Sequence, residues 1–583
     1  MQIIPRPVNQ TVYQALQQKG YDQLTCRLLA ARVDDQKRAL NFVNPSLQQL
    51  TPPDLLKDID LAVDRVIQAL EQQQVIGLET DHDCDGQTAQ AVLYEGLTGL
   101  LGHPPHLVKT YIGHRLKEGY GLSDSVAKRI DQDQPRAQLI ITADNGSTDE
   151  PRIRWLKDRG IDTIVTDHHG IPDQGVPVSA VAVLNPVQSG ERFPDPSIAG
   201  CMVAWLLIAA VRQRLKTQQR LPKHGIQLAD LLDYVAIGTI ADCVSMANSL
   251  NNRLVVHYGM HKIAQRKRPC WQALLNDTSV IDSQLLGFQI APLLNSDGRL
   301  SDALSSVNLL LSKDMTTVKS VIDDLQQQNQ QRKQIQKTLF QTAKMAADQQ
   351  IQAGALAVCV YLDDGHAGVH GIVASQLKTY FGYPVVLFSP GKSDTLISGS
   401  ARSIDGLHMK TILDQINQIQ PDLLVQYGGH AGAAGMSIVK TDFDRFQQLF
   451  VQQISTYLNN HSEVVTGPSV YTDGTLQPDE LTQQTYQQLQ RLGPFGRGFE
   501  APIFVNQAYL TAIRFVGNNQ VHAQLRLKIG QKILKGIWFF AADYPHVNYL
   551  TGGQWVTVVY ELSYEVFQGT GQLNLKVVYL EKL

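Results

Sequence analysis

Carboxylates and imidazoles recur in four short clusters within the first half of this 583-residue chain. Carboxylates this close together repel one another unless a cation neutralises them. Carboxylate and imidazole ligands suit Mn²⁺ or Mg²⁺ better than structural zinc, and several carboxylates sharing two ions are typical of phosphoester hydrolysis. The sequence therefore predicts a divalent-metal site for a hydrolase. The clusters are Asp81-His82-Asp83-Cys84-Asp85-Gly86, Ala143-Asp144-Asn145-Gly146, Thr166-Asp167-His168-His169-Gly170 and Gly238-Thr239-Ile240-Ala241-Asp242.

The first cluster has two other interpretations, a solvated acidic turn and a calcium loop. A calcium loop of the D-x-D-x-D-G type needs a carboxylate at its twelfth position, and that position is Val92 here. The calcium interpretation is therefore weakened. Zinc stays open because Cys84 and Cys243 lie beside two of the clusters.

Three glycine- or serine-rich segments further along the chain each carry an arginine or a histidine. Such segments offer backbone N–H groups, hydroxyls and cationic side chains, which together bind phosphate. We expect the first to form a tight turn and the other two to form loops, and any one of them could be no more than a tight turn, but three of them favour a phosphate-bearing substrate. The segments are Asn295-Ser296-Asp297-Gly298-Arg299, Ser398-Gly399-Ser400-Ala401-Arg402-Ser403 and Gly428-Gly429-His430-Ala431-Gly432-Ala433-Ala434-Gly435.

The elements that must position the metal clusters alternate in type. Helix-like Leu61–Gln73 precedes an apolar run over 75–78, and similar β-branched runs follow at 138–142, 163–166 and 180–184. Short apolar strands that alternate with helices predict an α/β fold with a parallel sheet. Ligands of such sheets bind at the carboxyl ends of the strands, where at least three of the clusters are expected.

The remaining pattern predicts five segments along the chain. A glutamine-rich stretch with an apolar stripe predicts one long connector helix, and alternating segments after Pro502 predict a small β-barrel. The segments are an N-terminal segment (1–60) that packs on the first α/β domain, that domain (61–313), the connector helix (314–352), a second, smaller α/β domain (353–465), and a linker with the barrel (466–583).

Composition excludes several classes of protein. Hydrophobic residues make up 43% and charged residues 18%, so global disorder is excluded. The net charge of −3 gives no overall basic excess, so any nucleic-acid contact must use local patches. The barrel segment carries such a patch, with Phe515 and the aromatics of 538–540 among basic residues, although Trp538 to Phe540 are expected mainly in the barrel core.

The compartment is expected to be the cytoplasm. Six scattered cysteines, none in a CxxC pair, favour a reducing environment. No secretory signal is visible at the first residues, and the longest apolar run, Ile198 to Val211, is too short to span a bilayer.

The metal clusters resemble, in order, the four motifs of the DHH phosphoesterase superfamily, and the segment from Gly428 to Ala431 resembles that of its DHHA1 partner domain. Longer stretches narrow the resemblance to the RecJ family of single-stranded-DNA-specific exonucleases, from about residue 60 to the end. These stretches are 115–122, Asn295-x-x-Gly298-Arg299-Leu300, 371–375, 402–409 and Pro494-Phe495-Gly496.

The resemblance implies a parallel-sheet DHH domain and a smaller α/β DHHA1 domain joined by a long helix, with a C-terminal OB-like β-barrel. It implies 5′→3′ hydrolysis of single-stranded DNA to 5′-mononucleotides with two Mn²⁺ or Mg²⁺ ions, in DNA repair and recombination. The implied partners are single-stranded DNA, single-stranded-DNA-binding protein and a RecQ-type helicase. The resemblance also implies that the protein is a monomer and has no membrane partner.

The resemblance also assigns residue roles. Asp144 would bridge the two ions, His169 would lie close to the scissile phosphate, and His430 would contact the DNA backbone near the cut. The 5′-phosphate and the DNA backbone would be held by Arg115, Arg299, Ser400, Arg402, Gly428, Gly429 and His430. The metal ligands would be Asp81, Asp83, Asp85, Asp144, His168 and Asp242.

Several positions depart from the family pattern, without removing an implied metal ligand. His82 stands where Tyr or Phe is usual, and Ser296 and Asp297 replace two small residues, so that Asp297 would add negative charge beside Arg299. Gly365 replaces a usual Trp, and Phe499 replaces a usual Asn. Two other functions stay open, a hydrolase of short oligoribonucleotides or cyclic dinucleotides and a catalytically silent DNA-binding scaffold.

Overall fold

The computed structural model describes residues 1–114, 118–223, 225–277, 279–300, 303–391, 393–567 and 570–583, without the side chains of 299, 300, 518, 545, 566, 567 and 570. The chain forms two compact units. The larger comprises Arg6–Gln327 with Asp473–Leu583, and the smaller comprises Met1–Pro5 with Gln328–Thr472.

The first half of the chain alternates strands with helices, as the sequence predicts. Strand β1 (Gln2–Pro5) comes first, followed by helices α1 (Gln10–Gln18), α2 (Gln23–Ala30) and α3 (Gln36–Val43). The elements that follow are α4 (Ile59–Glu71), β2 (Ile76–Thr80), α5 (Cys84–Glu95), β3 (Val108–Ile112), α6 (Asp124–Gln132), β4 (Leu139–Ala143), α7 (Glu150–Lys157), β5 (Asp162–Thr166), β6 (Ala182–Leu184), α8 (Gly200–Thr217), α9 (Leu232–Ala241), α10 (Leu250–Ala264), α11 (Pro269–Leu274), α12 (Ser283–Leu285), α13 (Ala291–Leu300) and α14 (Leu304–Leu311).

Five of these strands form a parallel sheet in the order β3-β2-β4-β5-β6. Strands β2 and β4 are buried along their whole length, because helices cover both faces of a sheet of this kind. The apolar run at 198–211 forms most of α8, which is buried within the domain. Within the described residues, no helix is both long enough and apolar enough to cross a membrane.

The connector predicted at 314–352 is a single helix, α15 (Met315–Gln352). Its C-terminal part packs through Leu339, Ala343 and Ala347 against a second sheet in the order β10-β11-β9-β8-β7. The elements of this part are β7 (Val358–Tyr361), α16 (His370–Phe381), β8 (Val385–Pro390), β9 (Leu396–Arg402), α17 (Met409–Ile419), β10 (Gln426–Gly429), β11 (Ala433–Val439), α18 (Phe443–Asn460) and β12 (Ser469–Thr472). Strand β12 pairs in parallel with β1.

The C-terminal strands close into a barrel in the order β13-β14-β15-β17-β16, which confirms the predicted OB-like barrel. Trp538 is buried in its core as expected, but Phe539 and Phe540 are exposed, because they follow the last residue of β15. The elements are α19 (Gln483–Arg491), β13 (Phe504–Val516), β14 (His522–Ile529), β15 (Lys532–Trp538), β16 (Gln554–Phe567) and β17 (Thr570–Lys582).

Candidate functional site

Three of the four acidic clusters begin where neighbouring parallel strands end. Thr80, Ala143 and Thr166 are the last residues of β2, β4 and β5, and they lie side by side in register. The residues that follow each strand are therefore brought to one edge of the sheet, as the sequence predicts.

The fourth cluster reaches the same place from the end of a helix rather than from the end of a strand. Asp242 directly follows α9, which packs closely against α5. A Cβ at Gly238 would lie 2.3 Å from Thr88 Oγ1 and 2.7 Å from Asp85 Oδ1, so only glycine lets the two helices approach this closely. The close approach brings Asp242 to the carboxylates of α5.

The side chains of the clusters form three overlapping groups whose ligand atoms lie within 4.8 Å of one another. His168 is central, because its Nε2 lies 3.1 Å from Asp144 Oδ1, 3.8 Å from Asp85 Oδ2 and 3.7 Å from Asp242 Oδ2. All six predicted metal ligands are thus in one place. The groups are Asp144 with His168 and His169, Asp85 with His168 and Asp242, and Asp81 with Asp83 and Asp144.

Backbone N–H groups hold the acidic side chains in position. Asp83 is the N-cap of α5, and its Oδ1 accepts from the N–H groups of Asp85 and Gly86 at 2.9 and 3.2 Å. The Asp85 carboxylate accepts from Gly200 and Cys201 at 2.7 and 3.0 Å, at the N-terminus of α8. Helix N-termini favour negative charge, so both carboxylates are fixed before any cation binds.

Asp144 has a strained backbone at the centre of the cluster. Its φ is 63°, a left-handed conformation that a non-glycine residue seldom adopts. A Cβ at Gly200 would lie 2.7 Å from both Cβ and Oδ1 of Asp144, so α8 presses directly against this side chain. Backbone strain of this kind is held by the surrounding structure and concentrates at functional sites.

The electrostatics of the cluster show uncompensated negative charge. Burial and the neighbouring carboxylates raise the pKa of Asp144 and of Asp242 well above the usual range, and they also raise the pKa of Asp83. At Asp81 burial opposes ionisation, but the adjacent His82 outweighs it and lowers the pKa. Among the described residues no lysine or arginine forms an ion pair with these carboxylates, so the donor set fits divalent cations.

Asp167 and Tyr120 support His169, and neither was among the predicted site residues. Asp167 Oδ1 lies 2.9 Å from His169 Nδ1, and although burial opposes it, this hydrogen bond raises the pKa of His169 to about 9. The Tyr120 hydroxyl lies 3.1 Å from the Asp144 carbonyl oxygen and 3.2 Å from His169 Nδ1. Asp167 belongs to the third cluster and Tyr120 to the 115–122 stretch, so the motifs that contain them could have identified both residues from the sequence.

A second polar site lies in the smaller unit around Arg402. Its Nε donates to Ser375 Oγ at 2.9 Å and its Nη1 donates to Ser400 Oγ at 2.8 Å. Burial lowers the pKa of this guanidinium, and it forms no ion pair with the described residues. A Cβ at Gly371 would lie 2.8 Å from Arg402 Nη2, so the first turn of α16 reaches the same point. A half-buried cation without a carboxylate partner among the described residues is suited to an anionic ligand.

Glycines keep the sheet open beside Ser400. Gly428, Gly435 and Ser400 are direct neighbours across β10, β11 and β9, and a Cβ at either glycine would meet only open space. His430 is exposed in the turn that follows β10, and its N–H donates to the Ala433 carbonyl at 2.8 Å. One sheet thus carries all the predicted phosphate-binding residues of this unit, in strands and a hairpin turn rather than in the predicted loops. The strand residues are Ser400, Arg402, Gly428 and Gly429, and the turn residue is His430.

Two predicted arginines cannot be placed, since Arg115 and the side chain of Arg299 lie outside the described residues. The predicted turn at Asn295 to Arg299 is wrong, because these residues belong to α13. Asp297 is fully buried and accepts the Ser306 N–H at 3.0 Å, so it holds the first turn of α14. The Asp297 carboxylate therefore has a hydrogen-bonding role within the fold.

Family models match three parts of the chain. The DHH family N-terminal domain matches residues 75–239, the DHHA1 domain matches 354–456, and the RecJ OB domain matches 472–579. These matches agree with the parallel sheet, the second sheet and the barrel.

Whole-length relatives are similar across nearly the entire chain. The single-stranded-DNA-specific exonuclease RecJ of Haemophilus influenzae is 33% identical, over 92% of this chain and 93% of that protein. The protein of the same name from Escherichia coli is 34% identical, over 92% of each chain. The crystal structure of RecJ from Thermus thermophilus in complex with Mn²⁺ has the same fold, with a TM-score of 0.77 at 24% identity, covering 100% of this chain and 79% of that one. The chain therefore belongs to the RecJ family of single-stranded-DNA-specific exonucleases.

Proposed function

We propose that this protein degrades single-stranded DNA from the 5′ end to 5′-mononucleotides, with two Mn²⁺ or Mg²⁺ ions held by the acidic cluster. The observation that carries the proposal is the convergence of Asp81, Asp83, Asp85, Asp144, His168 and Asp242 within ligand distance of one another. When bound there, divalent ions would activate water and stabilise charge on the phosphate. The related protein from Thermus thermophilus was crystallised with Mn²⁺.

The protein's own groups around this cluster support phosphodiester hydrolysis. Asp144 lies in two of the three ligand groups, which suits a carboxylate shared by two ions. The hydrogen bond to Asp167 raises the pKa of His169 and so favours its imidazolium form, which can donate a hydrogen bond to a phosphate oxygen. Asp167 fixes the orientation of that imidazolium, and Tyr120 covers its edge.

The site around Arg402 supports recognition of a 5′-terminal phosphate. Its guanidinium, the Ser400 hydroxyl and the first turn of α16 converge on one point, and the glycine row beside it admits a nucleotide backbone. His430, in the hairpin turn, is placed to contact a neighbouring phosphate. Anchoring the strand by its end in this way would fix the polarity of degradation.

The barrel carries an outer surface suited to single-stranded DNA. Trp555, Tyr509, Lys528 and Ile533 are consecutive cross-strand neighbours on β16, β13, β14 and β15. Trp555 is 57% exposed, and its ring lies 5.7 Å from that of Tyr509. Aromatic rings beside basic side chains can stack on the bases of single-stranded DNA independently of the nucleotide sequence.

We expect Trp555→Ala to weaken the binding of single-stranded DNA by about 1–3 kcal/mol, because one stacking ring is lost. Fluorescence anisotropy of a labelled oligonucleotide measures this affinity. The control, Tyr549→Ala, removes another exposed aromatic ring and should change the affinity little.

The biological setting follows from the same proposal. A nuclease of this kind would act in DNA repair and recombination in the cytoplasm, as a monomer. Single-stranded-DNA-binding protein and a RecQ-type helicase are its expected partners.

The decisive experiment measures nucleotide release from long single-stranded DNA labelled separately at each end. With Mn²⁺, early loss of the 5′ label as mononucleotide is expected, and EDTA should stop it. Asp144→Ala should reduce the rate by at least about a thousandfold, because it removes a ligand shared by two groups. The matched control is Asp173→Ala, which removes an exposed carboxylate and should leave the rate unchanged.

Three other outcomes contradict the proposal. If the 3′ label were lost before the 5′ label, the proposed 5′→3′ direction of degradation would be refuted. Faster cleavage of dinucleotide RNA than of long DNA would favour an oligoribonuclease. If the protein bound single-stranded DNA but released no nucleotide with any metal ion, it would be a catalytically silent scaffold.

A further inference from the structure

A pocket of about 400 Å³ lies at the ends of α5 and α9 that are opposite to the metal ligands. Asp85 is in the first turn of α5 and Glu95 is its last residue, while Asp233 is in the first turn of α9 and Asp242 directly follows its last residue. With a rise of 1.5 Å per residue, the pocket is about 15 Å from the acidic cluster. It is therefore a separate site.

The cations around this pocket divide into two kinds. Lys262 Nζ lies 2.8 Å from Asp230 Oδ1, and Arg268 pairs with both Asp233 and Glu95, so these two charges are satisfied within the fold. Lys267 and Lys313 are exposed, and neither forms an ion pair or side-chain hydrogen bond with the described residues. Lys313 also interacts electrostatically with Glu95, and Lys267 with Asp230, but neither lysine is held in an ion pair, so both ammonium groups can attract an anion.

The walls of the pocket add two further properties. Ile226, Pro269 and Leu311 are half-buried and give it an apolar surface. The carboxylates of Glu95 and Asp230 also face it and can accept further hydrogen bonds. The lining of the pocket thus combines cations, apolar surface and hydrogen-bond acceptors, and its volume is that of a small-molecule site.

We propose that this pocket binds a nucleoside 5′-monophosphate that carries an exocyclic amino group. The phosphate would lie between Lys267 and Lys313, the base against Pro269 and Leu311, and the amino group against Glu95 or Asp230. The choice of ligand rests on the proposed function, whose product is a 5′-mononucleotide.

The test is photolabelling of the full chain with 8-azido-dAMP in EDTA, followed by peptide mapping. Label is expected on peptides from 262–275 or 303–315, and excess dAMP should remove it. Lys267→Ala with Lys313→Ala should weaken this labelling about tenfold or more, equivalent to two lost charge contacts. Lys157→Ala with Lys216→Ala, two exposed lysines on other helices, is the matched control and should label like wild type.

Specific outcomes overturn the proposal. Label confined to peptides containing Arg402 or His169 would place nucleotide only at the sites described above. Displacement by inorganic phosphate as effective as by dAMP would refute recognition of the base, and equal competition by dTMP would refute the amino contact. An active nuclease without label in this pocket would overturn this proposal alone, while label on a protein that releases no nucleotide would overturn only the proposed function.

Discussion

At the scale of single residues, Asp149 is a buried carboxylate that burial holds at a pKa of about 6, above its ordinary 3.8. The folded state therefore favours the protonated carboxyl. The contribution of this group to the free energy of unfolding is fully present below the unfolded pKa and is lost as the pH rises through 6. At pH 8 the ionised group therefore costs about 3 kcal/mol. We expect Asp149→Asn to raise the melting temperature more at pH 8 than at pH 4.5, measured by calorimetry.

Asp158→Asn, an exposed position on the same domain, should give no such pH-dependent difference. An equal effect of Asp149→Asn at both pH values would mean that the carboxylate is ionised throughout. The amide oxygen can still accept the N–H of Leu122, which Asp149 accepts at 3.2 Å, so the comparison isolates the charge.

At the scale of elements, Arg268 joins the far ends of α5 and α9. It pairs with Glu95 on one helix and with Asp233 on the other, and it lies 4.1 Å from the Tyr234 ring. Removing one partner of a buried ion pair costs about 3–5 kcal/mol. We expect Arg268→Met to lower the melting temperature and also to weaken Mn²⁺ binding, because the same helices position Asp85 and Asp242.

Calorimetric titration of Mn²⁺ checks this expectation, with Arg266→Met as control, since Arg266 pairs with the fully exposed Asp277. A loss of stability with unchanged Mn²⁺ affinity would show that the two helix ends are not coupled through Arg268.

The acidic ligands could be predicted from sequence because three clusters lie within a few residues of strands that the apolar runs reveal. The turn at Asn295 to Arg299 was mispredicted for a physical reason. Gly298 resembles a turn residue, but a Cβ there would lie 2.2 Å from the His82 carbonyl oxygen, so glycine permits close packing of a helix. The β10–β11 hairpin was missed because its glycines lack the β-branched side chains that mark strands.

At the scale of the larger unit, Arg253 connects α10 with the segment that leads into the barrel. It donates to the carbonyl groups of Leu492 and Pro494 at 2.6 and 2.8 Å, and its guanidinium lies 4.1 and 4.2 Å from the rings of Phe42 and Phe499. Burial lowers its pKa to about 9. Phe499, a departure from the family pattern, therefore has a structural role that no local pattern reveals.

We expect Arg253→Met to destabilise the protein by about 3 kcal/mol or more, because three segments lose their common contact. Limited proteolysis should then cut the chain between 461 and 500 faster than in wild type. Arg491→Met, at an exposed position in α19, is the control. Unchanged proteolysis with a lower melting temperature would mean that the barrel is held by other contacts.

The pairing of β1 with β12 bears on the order of events during synthesis. Strand β1 (Gln2–Pro5) has its partner far along the chain, at Ser469–Thr472. At ~5–20 residues per second, a ribosome needs roughly 20 to 90 s to deliver that partner. The five strands of the parallel sheet, by contrast, all emerge between Ile76 and Leu184. Strand β1 is thus among the last to find its partner, and a nascent chain stalled before β12 would expose an unpaired strand edge to chaperones and proteases.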